Sequence, residues 1–264
     1  MAYEDLILEK EGNIAIITLN RPDRLNAISP AMRDGFPKAL EEVRQDDDIR
    51  VMILTGAGRG FCSGADVSGQ AARLAGEAAA KSRRETLEVV GHIGMLIREL
   101  EKPTIAAVNG VAAGAGFSYA MACDIRFASD RARFISVFVR RGLVPDSGLT
   151  YFLPRLVGTS KACEIMFTGN PIDAEEALRI GLVSKVVPHD DLMNVAREFA
   201  SVIAKGPPIS LELTKKAIYR GIERDLRTQM DFESYAQTVC RGTEDHREGV
   251  RSFMEKREPI FKGS

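Results

Sequence analysis

A run of twenty uncharged residues from Thr104 to Cys123 constrains the fold of this chain more than any other feature. A run of this length is either a membrane span or a segment inside a large core. Asn109-Gly110 and two later glycines, Gly114 and Gly116, interrupt it, and residues of this kind mark turns. The run therefore predicts a buried strand, a glycine turn and the start of a helix, and no membrane span.

The order strand, helix, strand recurs through the first two thirds of the chain. Continuous apolar runs at 51–55 and 104–108 predict buried strands, whereas the pattern from Asp190 onward is helical almost throughout. The sequence therefore predicts the α/β class, with a mixed core over residues 1–190 and a helical region over 191–264. The alanine-rich stretch from Gln70 to Arg84 predicts a solvated helix.

Charge and cysteine content exclude several classes of function. The chain has 36 basic and 37 acidic residues, so no basic face is expected for nucleic acid or an anionic membrane. The amino terminus is acidic and does not resemble a signal peptide. The cysteines are far apart, which predicts no structural metal site and a reducing, cytoplasmic environment. They are Cys62, Cys123, Cys163 and Cys240.

Two glycine-rich turns lie about fifty residues apart, at 60–66 and 109–117. The first resembles a dinucleotide fingerprint, but Phe61 stands where that motif requires glycine. Each turn instead precedes a predicted helix, where unpaired N–H groups and the helix dipole favour negative charge. Two such turns converging on one oxygen would form an oxyanion hole.

Asp146 follows a proline and precedes Ser147-Gly148. Two interpretations remain open from the residues alone. Asp146 can cap the helix predicted from Leu149, the usual role of an aspartate in this position. It can also supply a carboxylate for proton transfer.

Several segments together resemble the enoyl-CoA hydratase/isomerase, or crotonase, family, from about Leu6 to Phe261. The matching segments are Leu19–Ala27, Gly60–Asp66, Asn109–Gly116, Ala122–Arg126, Glu248–Gly249 and Phe253–Pro259. The resemblance implies a spiral of ββα units with a C-terminal helical trimerisation region, and a homotrimer or a dimer of trimers. It implies an acyl-CoA substrate, with coenzyme A as part of that substrate, no other cofactor and no metal.

The resemblance also implies roles for individual residues. The oxyanion amides are those of Ala65 and Ala115, next to Gly64 and Gly114; Ala115 departs from the usual glycine, but the donor is the backbone N–H. Further positions match those that bind coenzyme A, two of them in the tail that reaches a neighbouring subunit's ligand. These are Arg24, Leu25, Ala27, Ser63, Ala65 and Asp66, with Phe253 and Lys256 in the tail.

The departures from the family pattern point to a reaction. Hydratases of the family have two glutamates where this chain has Ser118 and Phe138, and adding water requires both a base and an acid. Asp146 matches an acidic position of the isomerase members, and residues 142–148 resemble the 1,2-epoxyphenylacetyl-CoA isomerase branch. We therefore expect an isomerase that shifts a double bond or rearranges a ring through a thioester enolate, with Asp146 as the proton shuttle.

Four other functions remain as alternatives. The nearest is a hydratase that uses Asp146 as its single carboxylate. An aryl-CoA dehalogenase would use Asp146 as a nucleophile, but that branch has an indole near the site and this chain has no tryptophan. A non-catalytic acyl-CoA binder is disfavoured by the retained acid, and an RNA-binding relative by the lack of a basic face.

Overall fold

The computed structural model describes residues 3–66 and 92–264. The helix predicted over residues 70–84 lies outside these ranges. The described strands, β1 to β10 in chain order, are Leu6–Glu11, Ile14–Leu19, Val51–Gly56, Gly60–Cys62, Thr104–Val108, Val111–Ala113, Ile125–Ser129, Arg133–Ile135, Ile172–Asp173 and Lys185–Val187. The described α-helices, α1 to α10, are Pro30–Gln45, His92–Glu99, Ala115–Ala122, Leu149–Val157, Thr159–Thr168, Ala174–Arg179, Leu192–Ala204, Pro208–Gly221, Leu226–Arg241 and Glu244–Glu255.

The larger sheet has six strands in the order β1-β2-β3-β5-β7-β10. The hairpin β1-β2 is antiparallel, and the remaining neighbours are parallel. All six residues of β3 are buried, as expected for a parallel strand that is covered on both faces. The strands predicted from the apolar runs at 51–55 and 104–108 are confirmed.

The smaller sheet has four strands in the order β4-β6-β8-β9, of which the first three are mutually parallel. Two of them, β4 and β6, lie inside segments predicted as glycine turns. A strand of the larger sheet, a strand of the smaller sheet and a helix follow each other in β5-β6-α3 and again in β7-β8-α4. This repetition confirms the predicted spiral of ββα units.

The large sheet separates two apolar clusters. The main core includes Phe36, Phe61, Phe117 and Phe134, all fully buried. On the opposite face, α7 packs Leu192, Ala196, Ala200 and Ala204 against strand residues such as Ile16 and Ile53. The division of the chain at residue 190 stays a prediction, although this packing joins the first C-terminal helix to the sheet.

The last three helices, α8 to α10, expose many apolar side chains. Leu226 is 76% exposed, Phe253 85% and Met254 77%. These helices line a cavity of about 1100 Å³ that also contacts Phe261. Within the described ranges, no helix is long and apolar enough to cross a membrane.

Candidate active site

Three chain turns meet at one edge of the smaller sheet. Strands β4, β6 and β8 are parallel neighbours, so their carboxyl ends lie side by side. The turn after β4 carries Ala65, the turn after β6 carries Ala115, and the turn after β8 carries Phe138. The sheet therefore brings together residues that are up to 73 positions apart in the sequence.

The two glycine turns are in direct contact. Gly64 has φ of +89°, and a Cβ built on it would lie 2.9 Å from the carbonyl oxygen of Ala113 and 3.6 Å from the amide nitrogen of Ala115. A Cβ on Gly114, with φ of +55°, would lie 3.8 Å from the Cα of Gly64. Glycine is therefore required at position 64 by both conformation and space, and it is favoured at position 114 by the positive φ.

The amide groups next to these glycines have no hydrogen-bond acceptor among the described residues. Ala115 is the first residue of α3, and a helix leaves its first N–H groups without an internal partner. On one side of Ala65, the Gly64 carbonyl accepts from the Ile28 N–H, and on the other, the Asp66 N–H donates to the Ile28 carbonyl. The Ala65 N–H between them takes part in neither bond. Two close, unpaired N–H groups can bind an oxygen that gains negative charge.

The segment 24–28 runs beside the first of these turns. The Ser63 N–H donates to the carbonyl of Leu25 at 2.9 Å, and its hydroxyl donates to the carbonyl of Arg24 at 3.2 Å. The Arg24 side chain is exposed, whereas Ala27 is buried. The structure thus brings the segment 24–28 beside Ser63, although Arg24 and Ser63 are almost forty positions apart in the sequence.

Arg21 is a residue of this region that the sequence did not single out. Its guanidinium donates to the carbonyl of Ala27 at 2.8 Å and to the carboxylate of Asp66 at 2.9 Å, with Asp5 at 3.5 Å. Asp66 is therefore engaged in an ion pair directly after the Ala65 amide. A single arginine has no distinctive spacing, so only the folded structure identifies this contact.

Asp146 lies before α4, but its side chain does not cap that helix. The N-cap is Gly148, without a side-chain cap bond, and the hydroxyl of Ser147 donates to Asp146 Oδ1 at 3.0 Å. The interpretation of Asp146 as a helix cap is therefore wrong. Because Ser147 and Gly148 both have positive φ, the backbone turns before the helix begins, and only the Asp146 carbonyl reaches the Leu149 N–H.

The environment of Asp146 suits a general base. Its carboxyl group is partly buried, and desolvation raises its pKa, while the hydrogen bond from Ser147 opposes the rise. A raised pKa makes an ionised carboxylate a stronger base. No hydrogen bond within the described ranges involves Oδ2, so this oxygen is available to a ligand.

Ser118 and Phe138 both lie against the second glycine turn, and Ser118 also contacts Asp146. The fully buried Ser118 hydroxyl is 2.9 Å from the carbonyl oxygen of Asp146 and 3.3 Å from that of Gly114, so it links the two segments. The ring of Phe138 is buried and lies 3.9 Å from a Cβ built on Gly114. One position therefore supplies a hydroxyl held by backbone carbonyls, and the other an apolar wall.

The two predicted tail residues are not brought to this site within one chain. Phe253 lines the cavity among α8, α9 and α10, and Lys256 ends α10 with φ of +55°. Of the other predicted site residues in the described ranges, none lines that cavity. The role of these two residues at a neighbouring subunit's ligand stays a prediction.

Cys62, in β4, is free and fully buried. Burial raises the pKa of its thiol to about 12. The group is therefore a neutral thiol near neutral pH, and it fills space in the core as a small apolar side chain does.

Comparison with known proteins gives one consistent match. The family model described as enoyl-CoA hydratase/isomerase matches residues 9–264. The short-chain-enoyl-CoA hydratase of Clostridium acetobutylicum is 42% identical over 264 residues, which cover 97% of each chain. The 1,2-epoxyphenylacetyl-CoA isomerase of Escherichia coli is 38% identical, over 98% of this chain and 99% of its own.

The crystal structure of an enoyl-CoA hydratase from Bacillus anthracis has the same fold. It superimposes with a TM-score of 0.93 at 35% identity, over 99% of this chain and all of the other. The fold and the sequence therefore agree over nearly the whole chain.

Proposed function

The chain belongs to the enoyl-CoA hydratase/isomerase family, and from this premise we propose that it is an acyl-CoA isomerase acting through a thioester enolate. The observation that carries the proposal is the partly buried Asp146 carboxylate, which caps no helix and has one oxygen available. Ser118 and Phe138 add no carboxylate beside it. One base that removes and returns a proton suffices for isomerisation, whereas hydration also requires activation of a water molecule.

The two backbone amides act on the thioester oxygen. The N–H groups of Ala65 and Ala115 donate to the carbonyl, and these bonds strengthen as the enolate places negative charge on that oxygen. They therefore stabilise the transition state more than the ground state. Each donor of this kind contributes roughly 3 kcal/mol to catalysis.

Asp146 moves the proton. Its carboxylate takes a proton from one carbon of the acyl group, and the electron pair delocalises onto the thioester oxygen. The same carboxyl group returns the proton to a second carbon, which shifts a double bond or completes a ring rearrangement. The buried ring of Phe138 keeps water from the enolate.

A hydratase that uses Asp146 alone is the second candidate. It is favoured by the relative from Clostridium acetobutylicum, whose name is that of a hydratase. The two reactions differ in product mass, because hydration adds one water and isomerisation adds nothing.

Parallel assays with trans-3-hexenoyl-CoA and trans-2-hexenoyl-CoA separate the two candidates, because product mass reports added water and the ultraviolet absorbance of a conjugated enoyl thioester reports a moved double bond. We expect a product of unchanged mass whose double bond has moved, and a rate in Asp146→Asn that is lower by about 10² to 10⁴. Addition of one water to trans-2-hexenoyl-CoA, with trans-3-hexenoyl-CoA left unchanged, would favour the hydratase. Isomerisation at the wild-type rate in Asp146→Asn would refute the role of Asp146 in either reaction.

Binding of the coenzyme A moiety is assigned to the segment 24–28 and the neighbouring turn. The support is the exposed Arg24 side chain, which forms no ion pair with another described residue, and the bond from the Ser63 hydroxyl to the Arg24 backbone carbonyl. Calorimetry with an acyl-CoA should show Arg24→Ala weakening affinity by about 1.5–3 kcal/mol, the range for a hydrogen bond to a charged group. Unchanged affinity would leave Arg24 as a surface residue only.

We assign the exposed apolar face of α8 to α10 to trimer formation, with a second copy of the chain as the occupant. The support is the exposure of Leu226, Phe253 and Met254, since an apolar face of this kind marks an interface. We also propose a cytoplasmic location, because all four cysteines are free thiols. Light scattering that found only monomer would contradict the assembly, and with it the role of Lys256 across subunits.

A further inference from the structure

Asp146 is held at three points by its surroundings. The Ser118 hydroxyl and the Leu149 N–H both donate to its backbone carbonyl, at 2.9 and 3.1 Å. The Ser147 hydroxyl donates to Oδ1 of its side chain at 3.0 Å. A carbonyl has two lone pairs, so the backbone carbonyl of Asp146 has its full number of donors, and the orientation of its carboxylate depends on Ser147.

Ser147 occupies a conformation that a serine rarely adopts. Its φ is +53°, in the left-handed region where a non-glycine residue is strained. It is also only 6% exposed. Glycine would fit this backbone with less strain, so the hydroxyl is the feature that a serine adds here.

The fold packs tightly around this serine. Gly94 of α2 lies directly against it, and a Cβ on Gly94 would collide with the Ser147 carbonyl oxygen. The Tyr119 side chain of α3 adjoins that of Ser147. Burial raises the pKa of both Tyr119 and Cys62, so neither carries a charge near neutral pH. Within the described ranges, the side chain that donates to the Asp146 carboxylate is that of Ser147.

We infer that Ser147 is a positioning residue for the proton shuttle: its hydroxyl holds Oδ1 of Asp146 and leaves Oδ2 as the oxygen that exchanges a proton with the substrate. This inference rests on the proposed function of Asp146. The hydroxyl has two effects on the carboxylate. It restricts rotation of the group, and it stabilises the ionised form, which burial disfavours.

The first test measures the carboxylate itself and needs no substrate. The ¹³Cγ resonance of Asp146 is followed against pH in protein labelled at aspartate, with Asp146→Asn to assign the signal. In Ser147→Ala and Ser147→Gly the pKa of Asp146 should rise by about one unit, because a donor to the charged form is lost. Ser147→Gly also relieves the positive φ, so it separates loss of the hydroxyl from backbone strain. Ser184→Ala is the matched control, since that hydroxyl donates to the backbone carbonyl of Arg126, and it should leave the titration unchanged.

The second test measures turnover of trans-3-hexenoyl-CoA. Both Ser147 variants should lose about 10- to 100-fold in kcat, the effect of removing a hydrogen bond to a charged group. KM should change little, and the acid limb of the pH–rate profile should move to higher pH. If Ser147 served the fold alone, the two variants would have lower thermal stability, and the acid limb of their pH–rate profiles would stay in place.

The two proposals fail in different ways. An unchanged Asp146 titration in both Ser147 variants would overturn the inference, even if Asp146→Asn is inactive and the proposed function stands. Wild-type turnover in Asp146→Asn would overturn the proposed function, and with it the inference. A raised pKa in both variants, together with lower kcat, supports the positioning role.

Discussion

The two halves of the candidate site use different parts of the chain. One half consists of backbone amides at Ala65 and Ala115, fixed by two glycine turns in contact. The other half is a side chain, Asp146, fixed by the hydroxyl of Ser147. The position of the two amides does not depend on the side chains of the residues that carry them, whereas the position of the carboxylate depends on individual side-chain oxygens.

This difference explains how one fold can support several reactions. The amides depend on the parallel order of β4 and β6, so they persist as long as the sheet forms. The acid–base half can change through single substitutions, as at Ser118 and Phe138. In the proposed mechanism, the sheet therefore sets the enolate chemistry, and a few side chains set the final product.

For the backbone half of the site, the largest expected effect comes from removing one amide donor. Ala115→Pro deletes the N–H at the first position of α3, where proline is tolerated because that N–H has no helical partner. We expect kcat to fall by about 10² to 10³, the usual effect of losing an oxyanion donor. Steady-state kinetics together with circular dichroism would separate this loss from a loss of fold.

The matched control for this variant is Ala115→Gly, which keeps the N–H and removes only the side chain. It should lose little activity and at most about 1 kcal/mol of stability. If Ala115→Pro folds and turns over substrate at the wild-type rate, the proposed role of the Ala115 amide in catalysis is wrong.

A smaller effect is expected from the support of the first amide. Arg21→Met removes the ion pair with Asp66 and the bond to the Ala27 carbonyl, both next to the turn that carries Ala65. We expect the free energy of unfolding to fall by about 1.5–3 kcal/mol, and kcat to fall less than in Ala115→Pro. Denaturant unfolding and kinetics of the same samples would measure both. A kcat equal to that of wild type would show that the Arg21–Asp66 ion pair does not support the Ala65 amide in catalysis.

The smallest expected effect is on the free energy of unfolding, which the partly buried carboxylate of Asp146 lowers. Desolvation raises the pKa of Asp146 in the folded protein, so folding disfavours its ionised form. Asp146→Asn should therefore be more stable than wild type at neutral pH, by at most about 1 kcal/mol. The gain should be absent below the unfolded-chain pKa of about 3.9, grow as the pH rises to the folded-state pKa, and stay constant above it. Thermal melts across this range would detect it, and a variant less stable than wild type at neutral pH would contradict it.

The sequence predicts the larger sheet better than the smaller one. Continuous apolar runs identify β3 and β5 because both are long and fully buried. Strands β4 and β6 have three residues each and lie in glycine-rich segments, so their composition indicates turns. Only the folded structure shows that these strands pair and bring the two glycine turns together.

The same limit applies to the candidate site. The glycine turns could be recognised in the sequence, and the resemblance to the family assigns the amides within them to Ala65 and Ala115. Ser147 and Arg21 could not, since a single serine or arginine has no periodicity or spacing. Asp146 lies between these cases: the pattern before a helix suggested a cap, and the positive φ of the following residues removes that role.

The most direct test of the account is exchange of the substrate's α-proton with deuterated water, followed by mass spectrometry of trans-3-hexenoyl-CoA. Enolate formation requires the amides and the carboxylate together, and exchange reports it even when no product forms. Wild type should catalyse exchange, while Ala115→Pro and Asp146→Asn should each lose at least about 10²-fold, and Ala115→Gly should retain most of the rate. Exchange at the wild-type rate in folded Asp146→Asn would contradict the account.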